Sequence, residues 1–159
     1  MHPAPQETRT YFVTAITARR RPFFQSPATA ALLQQTLLDY CSQGKFLLHA
    51  WVIMPDHVHA LITPASDVSL EKAMQFIKGG FSFRLQGKQD IWTRSFNESQ
   101  ILTQDKFEAC TQYIEQNPVR KALAPTPQTY PYSSASQGRP DPMPSHFSIK
   151  THRIDLPNS

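Results

Sequence analysis

Phe46-Leu47-Leu48-His49-Ala50-Trp51-Val52-Ile53-Met54-Pro55-Asp56-His57-Val58-His59-Ala60-Leu61-Ile62-Thr63 reads as two apolar, β-prone runs broken by a single Pro-Asp pair. Proline and aspartate together are turn chemistry, so the stretch predicts a tight antiparallel hairpin with strands over 46–54 and 57–63. Side chains alternate along a strand. His57 and His59 therefore share one face, while Val58, Ala60 and Ile62 point the other way, into a core.

The flanks extend this hairpin into a fold. Before it, Tyr11 to Ala18 is rich in β-branched and aromatic residues and ends in Arg19-Arg20-Arg21-Pro22, a strand running into a basic loop. Ser26 and Pro27 are an N-cap and first helical residue for a helix from about 28 to 43 with Leu33, Leu37 and Cys41 on one face, stopped by Gly44. After the hairpin, Ser69 caps a helix over 70–85 that turns Leu70, Ala73, Met74, Ile77 and Phe81 inward. Gly79 and Gly80 each cost it about 1 kcal/mol against alanine, which points to a close backbone approach or a bend. A fourth strand falls within 91–102. Thr103 and Asp105 open a third helix that Pro118 is expected to end or kink. The order β-α-β-β-α-β plus a helix predicts an α+β fold, a ferredoxin-like split β-α-β with an antiparallel sheet, helices on one face and an additional C-terminal helix. We expect a domain over 1–124 and a proline-rich tail over 125–159, partly disordered and packing on or extending from it, because 7 of the 14 prolines fall there.

With 159 residues the chain fits one domain, and its 16 Lys and Arg against 12 Asp and Glu suit a polyanionic partner. Cys41 and Cys110 are expected to be free buried thiols, consistent with a reducing cytoplasm. Without an apolar leader in 1–10 or a run of about 18 apolar residues, the chain is expected to be soluble, cytoplasmic and not membrane-bound.

Two clusters carry chemistry. Paired imidazoles on one strand face can chelate a divalent ion, although most such pairs are ordinary surface or half-buried residues; Asp56 reads as a turn former. On the third helix Phe107, Cys110 and Ile114 make the core stripe. Tyr113 and Asn117 then lie side by side off that stripe, so Tyr113 need not be buried as packing. An amide oxygen from Asn117 would complete a His-His-Asn set with open positions for phosphate and water, suited to Mg²⁺ or Mn²⁺, with zinc as the competing metal. A phenol is a poor nucleophile at neutral pH unless a cation or base lies beside it, and the metal or Arg120 would serve.

Four blocks in order resemble the HUH single-tyrosine transposases, and within them the REP-associated tyrosine transposases: Trp51 to His59, Phe76-Ile77-Lys78-Gly79-Gly80-Phe81-Ser82-Phe83-Arg84, Tyr113-Ile114-Glu115-Gln116-Asn117-Pro118-Val119-Arg120, and Tyr130-Pro131-Tyr132-Ser133-Ser134. The resemblance, covering about 11–134, implies a ferredoxin-like fold, His57, His59 and Asn117 as metal ligands and Tyr113 as nucleophile. It also implies cutting and rejoining of single-stranded or hairpin DNA through a 5′-phosphotyrosine link, by a monomer or homodimer. The segment Phe96-Asn97-Glu98-Ser99 departs from the Asp-His pair that many relatives carry nearby. For phosphates we expect Arg19, Arg20, Arg21, Lys78, Arg84, Lys88, Arg94, Arg120 and Lys121, with Phe83, Trp92 or Phe96 as stacking surfaces. Two alternatives use the same residues: a domesticated hairpin-binding protein that no longer cuts, and a small-substrate metal phosphoesterase in which Tyr113 is structural.

Overall fold

A computed structural model describes residues 8–87 and 90–147. Its elements are β1 (Thr10–Ile16), α1 (Pro27–Ser42), β2 (Phe46–Met54), β3 (His57–Pro64), α2 (Leu70–Leu85), β4 (Asn97–Ile101), α3 (Gln104–Arg120) and a short α4 (Ser134–Gln137), with a 3-10 turn over Ala18–Arg20. The four strands form one antiparallel sheet in the order β2-β3-β1-β4. That is the split β-α-β arrangement: β3 is inserted between β1 and β2, and α1 and α2 cover one face. None of the helices is long and apolar enough to cross a membrane among the described residues.

The hairpin turns on Pro55-Asp56, with Met54 opposite His57. It carries one irregularity that alternation alone does not reveal. The register shifts between Leu48 and Ala50, leaving His49 as a bulged residue. The bulge reverses which face each later residue of β2 presents. Phe46, Leu48, Trp51 and Ile53 join the core under α1 and α2, while Ala50, Val52 and Met54 join a second core under α3. Helix α3 therefore lies on the opposite face from α1 and α2, the face that carries His57, His59 and Leu61.

Local chemistry explains the helix limits. Ser69 Oγ accepts from Lys72 N at 3.0 Å and Thr103 Oγ1 from Lys106 N at 3.2 Å, each capping a first turn. Helix α3 runs through Pro118 to Arg120, because a proline in the last turn forfeits one hydrogen bond only. Gly80 marks a close approach: a Cβ there would lie 2.6 Å from Tyr40 Cε2, whereas Gly79 has only Gln75 Cγ at 3.9 Å. Both cysteines are free, and burial pushes each thiol up to about 12.

Beyond α3 the proline-rich stretch, as far as Phe147, is applied to the sheet. Ile53 N donates to Tyr132 O at 2.9 Å, Trp51 N to Ser134 Oγ at 3.1 Å, and Leu48 N to Asp141 Oδ2 at 2.8 Å. These bonds occupy the outer edge of β2, which would otherwise be an unpaired strand edge. Tyr130 and Phe147 are buried in the α3 core. Glu115 of α3, only 7% exposed, accepts from Ser134 Oγ at 2.6 Å and from Arg139 at 2.6 and 3.0 Å. The stretch thus clamps α3 onto β2.

Candidate active site

Strand β3 aims the two histidines at α3, and each ring is held by a neighbour through Nδ1. Asp56 Oδ1 lies 2.6 Å from His57 Nδ1, and Thr14 Oγ1 lies 2.7 Å from His59 Nδ1. The ring centroids are 4.6 Å apart. With both Nδ1 atoms occupied, each Nε2 is left without a hydrogen bond among the described residues; the Asp56 carboxylate requires a proton on His57 Nδ1 and so leaves the lone pair on Nε2, the arrangement metal-bound histidines adopt. Burial, with the neighbouring His57 and Arg120 charges, holds the His59 imidazole down to about 3, so it is neutral over the physiological range and ready to donate an electron pair.

Helix α3 brings Tyr113 to the same place. Its ring centroid is 5.7 Å from that of His59 and 5.9 Å from that of Phe12, which itself packs 5.2 Å from His59. The tyrosine is 47% exposed, so a substrate can reach it. Arg120 covers its other side, with the guanidinium carbon 4.3 Å from the ring centroid and Nη2 donating to Tyr113 O at 2.7 Å. Asn117, one turn further on, is 3% exposed; its side-chain amide makes no hydrogen bond among the described residues.

The donor set bears on which ion would fit. Among the described residues no three His, Cys, Asp or Glu side chains gather to hold a metal. Two imidazoles whose Nε2 atoms make no hydrogen bond among the described residues are present, and Asn117 on α3 is the third donor that the sequence offers. Such a set leaves several positions for oxygen ligands and lacks the four closed donors of structural zinc.

The expected phosphate contacts divide in space. Arg19 and Arg20 are exposed at the end of β1, and Arg20 Nη1 pairs with Asp56 Oδ2 at 3.3 Å. Arg21 turns back on the carbonyls of Ala18 and Asp90. Arg120 and Lys121 lie exposed at the end of α3. Lys78 and Arg84 are on α2, across the sheet. Lys78 Nζ donates to the carbonyls of Thr93 and Ser95 at 2.9 and 3.2 Å, and Arg84 to Asp39 at 2.7 Å. Arg94 is exposed near α2; Lys88 lies outside the described residues. Of the aromatic candidates, Phe83 is 83% exposed, Trp92 packs among Phe24 and Phe81, and Phe96 rests half-buried against the α1 and α2 core.

Sequence reasoning missed Thr14 and Phe12, and took Asp56 only for a turn residue. The β1 to β3 register pairs Thr14 with His59, so the alignment of these strands was the signal that would have found Thr14. Asp56 precedes His57 and has a carboxylate short enough to reach back to its ring.

Comparison with known proteins agrees with this architecture. A curated relative, the REP-associated tyrosine transposase of Escherichia coli K12, is 26% identical over 104 residues, 65% of this chain and 62% of the relative, so the match spans less than two thirds of that protein. A solved REP-associated tyrosine transposase bound to a REP hairpin superposes with a TM-score of 0.72 at 23% identity, covering 86% of this chain and 82% of that one. A proposed transposase from Deinococcus radiodurans R1 gives 0.54 at 22% identity, covering 72% and 95%. At these identities the two structures speak to the fold. The family described as Transposase IS200 like matches residues 6–117, and on a match over well more than half its length this chain belongs to the IS200-like transposase family.

Proposed function

We propose that this chain cuts and rejoins single-stranded, hairpin-bearing DNA, with Tyr113 as the nucleophile and His57, His59 and Asn117 as the ligands of a divalent ion, Mg²⁺ or Mn²⁺. The observation that carries the reading is the exposed Tyr113 ring, 5.7 Å from the His59 ring and capped by Arg120. Family membership and the hairpin bound by the similar REP-associated transposase support DNA as the substrate class.

When bound, the ion supplies Lewis-acid polarisation of the scissile phosphate and charge stabilisation of the departing oxygen. Asp56 and Thr14 orient the two imidazoles, and Phe12 fixes the spacing between His59 and Tyr113. Tyr113 Oη gives up its proton to water and forms a bond to phosphorus, the P–O3′ bond breaks, and the leaving 3′-oxygen takes up a proton from water. Arg120, lying over the phenol ring, offers positive charge to the phosphate as Tyr113 attacks. One phosphoester replaces another, so a new 3′-hydroxyl reverses the step without an external energy source.

The test is to incubate the protein with single-stranded hairpin oligonucleotides and Mn²⁺. We expect a covalent protein–DNA adduct that peptide mapping places on Tyr113 and that Tyr113→Phe removes. Hairpin binding without an adduct, across varied hairpins with a filled metal site, would instead favour a non-cleaving binding protein. Phosphodiester hydrolysis unaffected by Tyr113→Phe would favour a small-substrate phosphoesterase.

A further inference from the structure

Beside His57, and lined by neither His59 nor Tyr113, the surface opens into a cleft of about 310 Å³ whose walls include Arg20, Pro22, Pro55, His57, Lys121 and Leu123. The geometry points to this cleft as the seat of one unpaired nucleotide, the one whose 3′-oxygen departs when the strand is cut. The inference rests on the strand-cutting reading above and adds to it a binding site for the leaving side.

Size comes first. The volume is at the low end of the ~300–1,000 Å³ typical of small-molecule clefts, room for one nucleotide and not for a duplex. The lining is of mixed character. Pro22, Pro55 and the 45% exposed Leu123 give apolar surface for the flat face of a base, while Lys121 brings a cation and Arg20, paired with Asp56 Oδ2, brings further N–H donors. Asp56 also lines the cleft. Its two oxygens are engaged by His57 and Arg20, so its charge is already met.

The backbone of both walls is held in an unusual conformation. Four non-glycine residues have left-handed φ among the described residues, and three of them flank this cleft: Arg19 at 56° and Arg20 at 50° on one side, Ala122 at 59° on the other. L side chains adopt that region at a cost, and such positions collect where a site must be shaped. Here they present Arg20 on one wall and Lys121 with Leu123 on the other.

Direction follows from stereochemistry at phosphorus. Attack in line places the entering and leaving oxygens on opposite sides. Tyr113 lies against His59, and the cleft is lined by His57 and by neither His59 nor Tyr113. With the phosphate over the imidazole pair, the phenol enters from the His59 side and the 3′-oxygen leaves toward the cleft. The seated nucleotide therefore carries the scissile phosphate on its 3′ side.

Leucine-methyl NMR of the full-length, metal-free Tyr113→Phe protein tests this. The probes are the four deoxynucleoside 3′-monophosphates, their 5′ isomers, inorganic phosphate and a single-stranded DNA dodecamer. We expect a 3′-monophosphate to move the Leu123 methyl signals saturably and at lower concentration than its 5′ isomer, with no movement from inorganic phosphate. Lys121→Gln should reduce the slope of log affinity against log salt for the dodecamer by about 1. Dodecamer binding with Leu123 unmoved by every mononucleotide, tighter binding of the 5′ isomers, or an unchanged salt slope would overturn the cleft and leave the strand-cutting reading standing. Failure of the dodecamer to bind at all would sink both.

Discussion

Replacing Asp56 with alanine separates a turn residue from one that prepares a metal ligand. The Oδ1 atom sits 2.6 Å from His57 Nδ1, a short charge-assisted bond that keeps the proton on Nδ1 and the lone pair on Nε2. Without it the ring is free to rotate, and the tautomer with a proton on Nε2 competes for the site. Partners of this kind typically contribute 10–100-fold to metal affinity. Because the Asp56 side chain is 27% exposed and water can replace part of the bond, the lower part of that range applies, about 10- to 30-fold or ~1.4–2 kcal/mol. Asp56→Asn keeps an acceptor oxygen without the charge and should weaken binding only a few-fold. The Arg20 to Asp56 pair, with Arg20 64% exposed, adds little to folding stability, so the metal-free variant should melt close to the parent. Titration of Mn²⁺, with free ion followed by electron paramagnetic resonance at pH 7.5, reads the affinities, and His57→Ala supplies the baseline. Asp56→Ala binding Mn²⁺ within twofold of the parent would refute the reasoning.

Other outcomes follow from the packing. Gly80→Ala should cost about 1–3 kcal/mol in urea unfolding because its Cβ meets the Tyr40 ring, while Gly79→Ala, with open space, should be neutral or stabilise by up to ~1 kcal/mol; equal effects would contradict the close approach. Glu115→Ala should cost about 2–3 kcal/mol by leaving Ser134 and Arg139 without their carboxylate, and a loss below about 0.5 kcal/mol would show that the clamp on α3 carries no weight. Burial lowers the His49 pKa below the ordinary histidine value. As pH falls below about 6.5 the unfolded chain therefore takes up a proton that the folded chain resists, and stability declines by up to ~1.4 kcal/mol per pH unit. His59 acts in the same sense; His49→Gln should accordingly show a shallower fall in urea midpoint between pH 7.5 and 5.5 than the parent, and an equal fall would assign the proton uptake elsewhere.

Much of the fold was legible because its signals were local. Pro55-Asp56 between two apolar runs set the hairpin, Ser69 and Thr103 set two helix starts, and the adjacent glycines of α2 announced a tight contact that proves to be Tyr40 against Gly80. The placement of α3 was not legible, because it depends on the bulge at His49, which redirects alternate residues of β2 and builds a second core. Such a bulge is stabilised by distant partners, Thr63 and Asp141, and leaves no local trace. The candidate site was legible where spacing along one element decides geometry, as for His57 and His59. Asn117 proved buried while Tyr113 is exposed, a difference that a bare helical projection, which sets the two side by side, does not show. Lys78 and Arg84 show the limit of counting charges, since their partners are loop carbonyls and Asp39.

The account turns on a divalent ion held by His57 and His59 within reach of the Tyr113 phenol. Anomalous diffraction from crystals grown with Mn²⁺ measures this directly. We predict one strong peak in coordination contact with Nε2 of both histidines, on the side where the Tyr113 hydroxyl faces it. A peak elsewhere on the molecule, or one ligated by these histidines with Tyr113 turned away in both free and DNA-bound crystals, would contradict the account.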